Sequence, residues 1–83
     1  MIAEQIHAAI CESLARVART PPERIHGAAS YRDDLGLDSL SMLEVTVDLE
    51  YAFKVKIPEE RLQEIRTVDD SIRLVQEYLP RTT

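Results

Sequence analysis

The sequence predicts an all-α fold: four helices, a long loop between helices 1 and 2, and a short helix 3. Three observations predict it. Apolar residues recur at spacings of three and four in the first and last segments, the spacing of one helical face. Prolines stand at the segment boundaries, at Pro21-Pro22, Pro58 and Pro80. No segment reads as a convincing strand. Eighty-three residues make one small domain, spanning 1–83, with a modest core and marginal stability.

The first helix is expected from about Ile2 to Arg19. Ile2, Ile6, Ile10, Leu14 and Val17 form its stripe, and Thr20-Pro21-Pro22 ends it. Residues 20–38 form a connection long enough to be functional or to hold a turn of its own, with Pro22-Glu23-Arg24-Ile25 as that turn. Ile25, Tyr31, Leu35 and Leu37 are its expected anchors to the core.

The second helix runs from near Ser39 to near Phe53, with Asp38 or Ser39 as N-cap. Met42, Val45, Thr46, Leu49, Ala52 and Phe53 share an arc of roughly 120° and form its core stripe. Leu40, Leu43 and Val47 fall nearly opposite, among Glu44, Glu50 and Tyr51. So small a chain offers that second set no obvious burial. It reads as an exposed apolar patch with an acidic rim, the composition of a docking surface.

Lys54-Val55-Lys56 is too short to make a confident strand. Pro58 at a helix start introduces a short third helix, to about Gln63. Thr67 is the expected N-cap of a fourth, with Asp69 and Asp70 complementing its dipole. Val68, Ile72, Val75 and Leu79 are its stripe, and Pro80 its end. The tail Arg81-Thr82-Thr83 is expected to be disordered.

Net charge is −5, unevenly spread. Residues 33–70 hold eleven acids and four bases, a net −7, while the remainder is +2. Such a surface repels nucleic acid and steers partners with basic docking surfaces toward it. No apolar run spans a bilayer, and the N-terminus lacks the features of a signal peptide, so a cytoplasmic location away from the membrane is the default expectation. The single cysteine, Cys11, forms no internal disulfide, and neither His7 nor His26 sits in a ligand-like cluster. No residue cluster suggests a metal, and the chain is not expected to be an enzyme.

Ser39 lies where a loop turns into a helix, inside Asp33-Asp34-Leu35-Gly36-Leu37-Asp38-Ser39-Leu40. A serine there is on its own most often a cap. Three features argue for more. Free backbone N–H groups and the positive end of the helix dipole favour a phosphodiester at that point. No neighbouring His or Lys activates the hydroxyl, so an external enzyme would have to modify it. The following helix presents the apolar and acidic face already described.

Asp34-Leu35-Gly36-Leu37-Asp38-Ser39-Leu40 resembles the attachment signature of acyl carrier proteins. The likeness continues through Leu49-Glu50 with Phe53, through Val55-Lys56-Ile57-Pro58-Glu59-Glu60, and through Arg66-Thr67-Val68-Asp69-Asp70. It implies an acyl-carrier-like, right-handed four-helix bundle and a monomer. It implies 4'-phosphopantetheine on Ser39, transferred from coenzyme A by a phosphopantetheinyl transferase, with acyl groups carried as thioesters on its thiol. Ketosynthase, acyltransferase and other synthase enzymes are the implied partners, for type II fatty acid or polyketide biosynthesis. Asp38, Leu40, Leu43, Glu44, Val47 and Asp48 form the implied docking surface. Val45, Leu49, Leu62 and Ile65 are expected to line an acyl cavity between helices two and three.

Ser41-Met42 with Val55-Lys56-Ile57-Pro58 is similar to carriers of actinobacterial type II fatty acid synthases. Tyr51, Ala52, Lys54 and Lys56 make the surface less acidic than in the most acidic family members, which leaves open a carrier dedicated to specialised metabolite or lipid assembly. The Gly-Gly-(His or Asp)-Ser pattern of peptidyl carriers is absent. Two other readings compete: an unmodified interaction module with Ser39 as a cap, and a small enzyme with Cys11 as nucleophile. Cys11 lies off the Ile6–Leu14 stripe without a recognisable His partner, and a small filler role suits it better.

Overall fold

The computed structural model describes residues 2–79, of Ile2 the backbone only. Four α-helices follow one another: α1 (Ile2–Val17), α2 (Ser39–Phe53), α3 (Glu59–Leu62) and α4 (Val68–Tyr78). A short 3₁₀ turn, Pro22–Arg24, lies in the long loop as expected. The expected stop at Pro80, the expected disorder of Arg81-Thr82-Thr83 and the Ile2 side chain fall outside the described residues.

The core forms where the stripes of α1, α2 and α4 meet. Ile6, Ile10 and Leu14 of α1 are fully buried, while Val17 at the end of that stripe is half-buried. From α2 come Val45, Thr46 and Leu49, with Met42 and Phe53 half-buried. Ala52, expected in this stripe, is exposed instead: it lies at the edge of the arc, and the α1 face it adjoins is the polar one of Glu12 and Arg16. From α4 come Val68, Leu74 and Val75, with Ile72 only half-buried. The buried face of α4 is therefore rotated toward Leu74 and Ser71, because the long loop packs on that side.

The loop is held by hydrogen bonds. Ser30 pairs with Thr67 in an isolated antiparallel bridge, with Tyr31 N–H donating to Arg66 O at 3.0 Å and Val68 N–H to Ala29 O at 3.1 Å. Ile25, Tyr31 and Leu37 are buried as anchors, Leu35 half-buried. The Tyr31 hydroxyl donates to Ser71 Oγ at 2.7 Å inside the core. His7 Nε2 on α1 donates to the Ile25 carbonyl at 2.8 Å. Main-chain polar groups of the loop thus find partners on α1 and at the entry to α4, which is how so long a connection stays folded.

α1 ends two residues before the expected point, with Arg19 in the left-handed region at φ 53. α4 starts with a capping box: Thr67 accepts from the Asp70 N–H, and Asp70 Oδ2 accepts from the Thr67 N–H at 3.1 Å. Burial would push the Asp70 carboxyl up, but bonds from the Arg66 and Thr67 amides, aided by Arg73, hold it below its ordinary value. The single turn of α3 is tied to α4 by Arg61, whose guanidinium meets Glu64 at 2.6 Å, Glu77 at 3.0 Å and the Tyr78 hydroxyl at 3.1 Å. Glu50 Oε2 accepts from the Ile57 N–H at 2.8 Å and closes the segment between α2 and α3.

Candidate functional site

The segment before α2 is a turn that needs glycine. Gly36 sits at φ +68, a conformation that costs an L side chain strain. It lets Leu37 fold into the core with its N–H on the Tyr31 carbonyl at 2.8 Å. The chain then emerges at Asp38 in extended geometry and enters the helix at Ser39.

Asp38 is the N-cap, its Oδ1 accepting from the Ser41 N–H at 2.8 Å. That bond holds the Asp38 carboxyl below its ordinary value. The Met42 N–H goes to the Asp38 carbonyl. The helix start, expected to offer free amides to a phosphodiester, has therefore already spent part of its positive end on its own acid. Ser39 is the first helical residue, exposed, and its hydroxyl makes no hydrogen bond with the described residues.

Ser39 stands at one wall of a cleft of about 400 Å³ between α2 and α3, opposite Leu62, Gln63 and Ile65. Met42 and Thr46 line its floor, and Arg32 of the long loop closes one side. Leu62 and Ile65, two of the four residues expected at an acyl cavity, line this cleft. Val45 and Leu49 are buried in the core cluster and do not line the cleft. Arg32 and Gln63 went unseen in the sequence because neither belongs to a periodic stripe.

Along α2, Leu40 is 65% exposed, Leu43 49%, Val47 44% and Tyr51 85%. Glu44 is exposed beside them. Asp48 differs from its neighbours. Its Oδ2 accepts from Ser13 Oγ at 2.6 Å and meets the Arg16 guanidinium, so it links α2 to α1. Cys11 is half-buried, with its thiol toward His7 Nδ1 at 3.7 Å, and burial pushes the thiol pKa up. That is the opposite of an activated nucleophile. Among the described residues no group of His, Cys, Asp and Glu is placed to hold a metal, and no helix is long and apolar enough to cross a membrane.

Residues 8–75 match a family profile described as a phosphopantetheine attachment site. The meromycolate extension acyl carrier protein of Mycobacterium tuberculosis is 42% identical over 73 residues, covering 88% of this chain and 64% of that protein. The chain thus spans somewhat less than two thirds of the length of that relative. An acyl carrier protein of Acidothermus cellulolyticus is 38% identical over 69 residues, 83% of this chain and 82% of its own. In fold, the solution structure of the apo doublet acyl carrier protein from prodigiosin biosynthesis superposes with a TM-score of 0.77 at 20% identity, over 94% of this chain and 38% of that one. The exposed serine at the head of α2, the helical bundle around it and these matches converge: the chain belongs to the acyl carrier protein family of phosphopantetheine attachment domains.

Proposed function

We propose that Ser39 is the attachment residue and that the chain carries acyl intermediates for a type II fatty acid or polyketide synthase. The observation that carries this reading is the state of the Ser39 hydroxyl. It is exposed, unbonded and seated at the rim of a cleft, in a chain matched to attachment domains across residues 8–75. A serine serving only as a cap would accept an amide hydrogen bond. Here Asp38 does that work and leaves Ser39 available.

When bound, 4'-phosphopantetheine supplies a thiol that holds the acyl group as a thioester. The chain's own residues present and address it. Asp38 caps α2 and keeps Ser39 at its tip. Leu40, Leu43, Glu44 and Val47 offer apolar contact rimmed by negative charge, a match for the basic docking surfaces of a phosphopantetheinyl transferase, a ketosynthase or an acyltransferase. Asp48 contributes on its exposed edge while holding α2 to α1. The cargo enters between α2 and α3 past Leu62 and Ile65, toward Val45 and Leu49. The protein works as a cytoplasmic monomer, in the compartment that holds coenzyme A. The names of the mycobacterial relatives favour lipid chain extension over polyketide assembly.

Intact mass before and after incubation with coenzyme A and a broad-specificity transferase tests the reading. Wild type is expected to gain one phosphopantetheine and Ser39→Ala none. A folded protein that gains nothing would make Ser39 a plain surface residue and the chain an unmodified interaction module.

A further inference from the structure

The site has a charge problem that its own helix does not solve. A phosphodiester on Ser39 adds a negative charge next to Asp38, whose carboxylate already occupies the Ser41 amide. Asp33 and Asp34 stand on the same loop. Arginines elsewhere are largely engaged: Arg16 meets Asp48, Arg61 meets Glu64 and Glu77, Arg73 meets Asp70, and Arg24 donates to the Asp34 carbonyl.

Arg32 is different. It shares the cleft with Ser39 and is the one charged residue among those that line it. Its guanidinium makes no hydrogen bond or ion pair with the described residues. Arg66, also without a carboxylate partner there, lines only the adjoining cleft, which Arg32 shares with Ser30 and Asp33 and in which Ser39 takes no part. The cleft wall facing Ser39 adds Gln63, whose amide both donates and accepts, and the apolar Leu62.

We propose that Arg32 is a positioning residue for the phosphopantetheine arm: it pairs with the phosphodiester on Ser39 and turns the arm across the cleft toward Leu62 and Gln63. The inference rests on Ser39 being the attachment residue. Arg–phosphate pairing is geometrically specific, with two parallel N–H···O bonds available from one guanidinium. Arg32 also offsets the charge of Asp38 at the point where the arm leaves the protein. The arm then has two arrangements: folded over the cleft, or swung out for a partner enzyme. A basic partner surface competes with Arg32 for the phosphate and so favours the second.

The test uses ¹⁵N-labelled full chain, followed by NMR through conversion from the unmodified to the modified form, with intact mass in parallel. The Arg32 Nε–H resonance is expected to move on modification, and the change to shrink in 0.5 M salt, where exposed pairs are screened. In modified Arg32→Gln, cross-peaks from the pantoyl methyls to Met42 and Leu62 should fall by about two- to fivefold, the range an exposed ion pair supports. Arg66→Gln should leave them unchanged. A full mass gain with an unmoved Arg32 Nε–H, and equal cross-peaks in wild type and Arg32→Gln, would overturn the inference and leave the carrier reading standing. No mass gain would remove both.

Discussion

Ser13 Oγ on α1 donates a 2.6 Å hydrogen bond to Asp48 Oδ2 on α2. Ser13 is 2% exposed, while Asp48 also meets the exposed Arg16. An acid on the candidate docking face is thus also a structural link between the two helices. Asp48→Ala leaves a buried hydroxyl without its acceptor and is expected to cost about 1–2 kcal/mol. Glu44→Lys has no such partner to lose and should change stability by no more than about 0.5 kcal/mol. It should instead slow modification of Ser39 by a basic transferase. Urea denaturation and modification rates of the two variants separate the roles. Equal rates for wild type and Glu44→Lys would reduce the acidic face to a solubilising one.

Tyr31 ties the long loop to α4 through Ser71 Oγ. Tyr31→Phe removes the donor and strands a buried hydroxyl, with an expected loss of about 1–2 kcal/mol. Ser71→Ala in the same chain should recover part of it, which a double-mutant cycle measures.

The same tyrosine sets an alkaline limit. Burial pushes its pKa from 10.0 up to about 12, the Asp70 charge adding to the rise and the Ser71 bond opposing it. An acid with a raised folded-state pKa favours the fold while it stays protonated. Its contribution is whole below pH 10 and is lost as pH rises through about 12. Thermal melts from pH 9 to 12 should show a decline that is shallower in Tyr31→Phe.

On the acid side the sign reverses. Asp38 and Asp70 both have carboxyls held below their ordinary value, Asp38 by the Ser41 amide, and Asp70 by amide bonds that outweigh its burial. Their stabilisation is present above pH 3.8 and is lost as pH falls through the lowered folded-state values. Asp70→Asn should lower the melting temperature at neutral pH and flatten its fall below pH 4. An unchanged acid slope would show that Asp70 carries none of it.

Gly36 has open space around a Cβ but a φ of +68. Gly36→Ala therefore tests backbone strain free of any clash, with an expected cost of about 1–2 kcal/mol. Gly36→Asn should cost less, since Asn tolerates this region better. Equal stability of all three chains would mean the turn before Ser39 is not set by glycine.

Much of the architecture was legible from spacing alone. Ile6, Ile10 and Leu14, or Val68 and Val75, repeat at helical intervals because burial selects one face of a helix, and that selection is written residue by residue. Thr67 was readable as a cap because capping is local chemistry, while at α2 only the structure decided between Asp38 and Ser39, in favour of Asp38. The exposed face of Leu40, Leu43 and Val47 was readable too, since α2 carries more apolar surface than one core contact uses. The stretch around Ser39 that resembles an attachment signature likewise lies within eight consecutive residues.

What stayed hidden depends on elements far apart in the chain. Ala52 falls outside the core and Leu74 inside it because the docking of neighbours, and not the helix's own period, decides where a stripe ends. Ser13 meets Asp48 across 35 positions, and Tyr31 meets Ser71 across 40. Arg32 reaches the wall of the Ser39 cleft only because a one-residue bridge at Ser30 and Thr67 folds the loop over the bundle. Local patterning determined the helices, the caps and the serine at the head of α2. Only the tertiary fold decided which charges that serine faces, because electrostatic neighbours are set by distance in space and leave no period in the sequence.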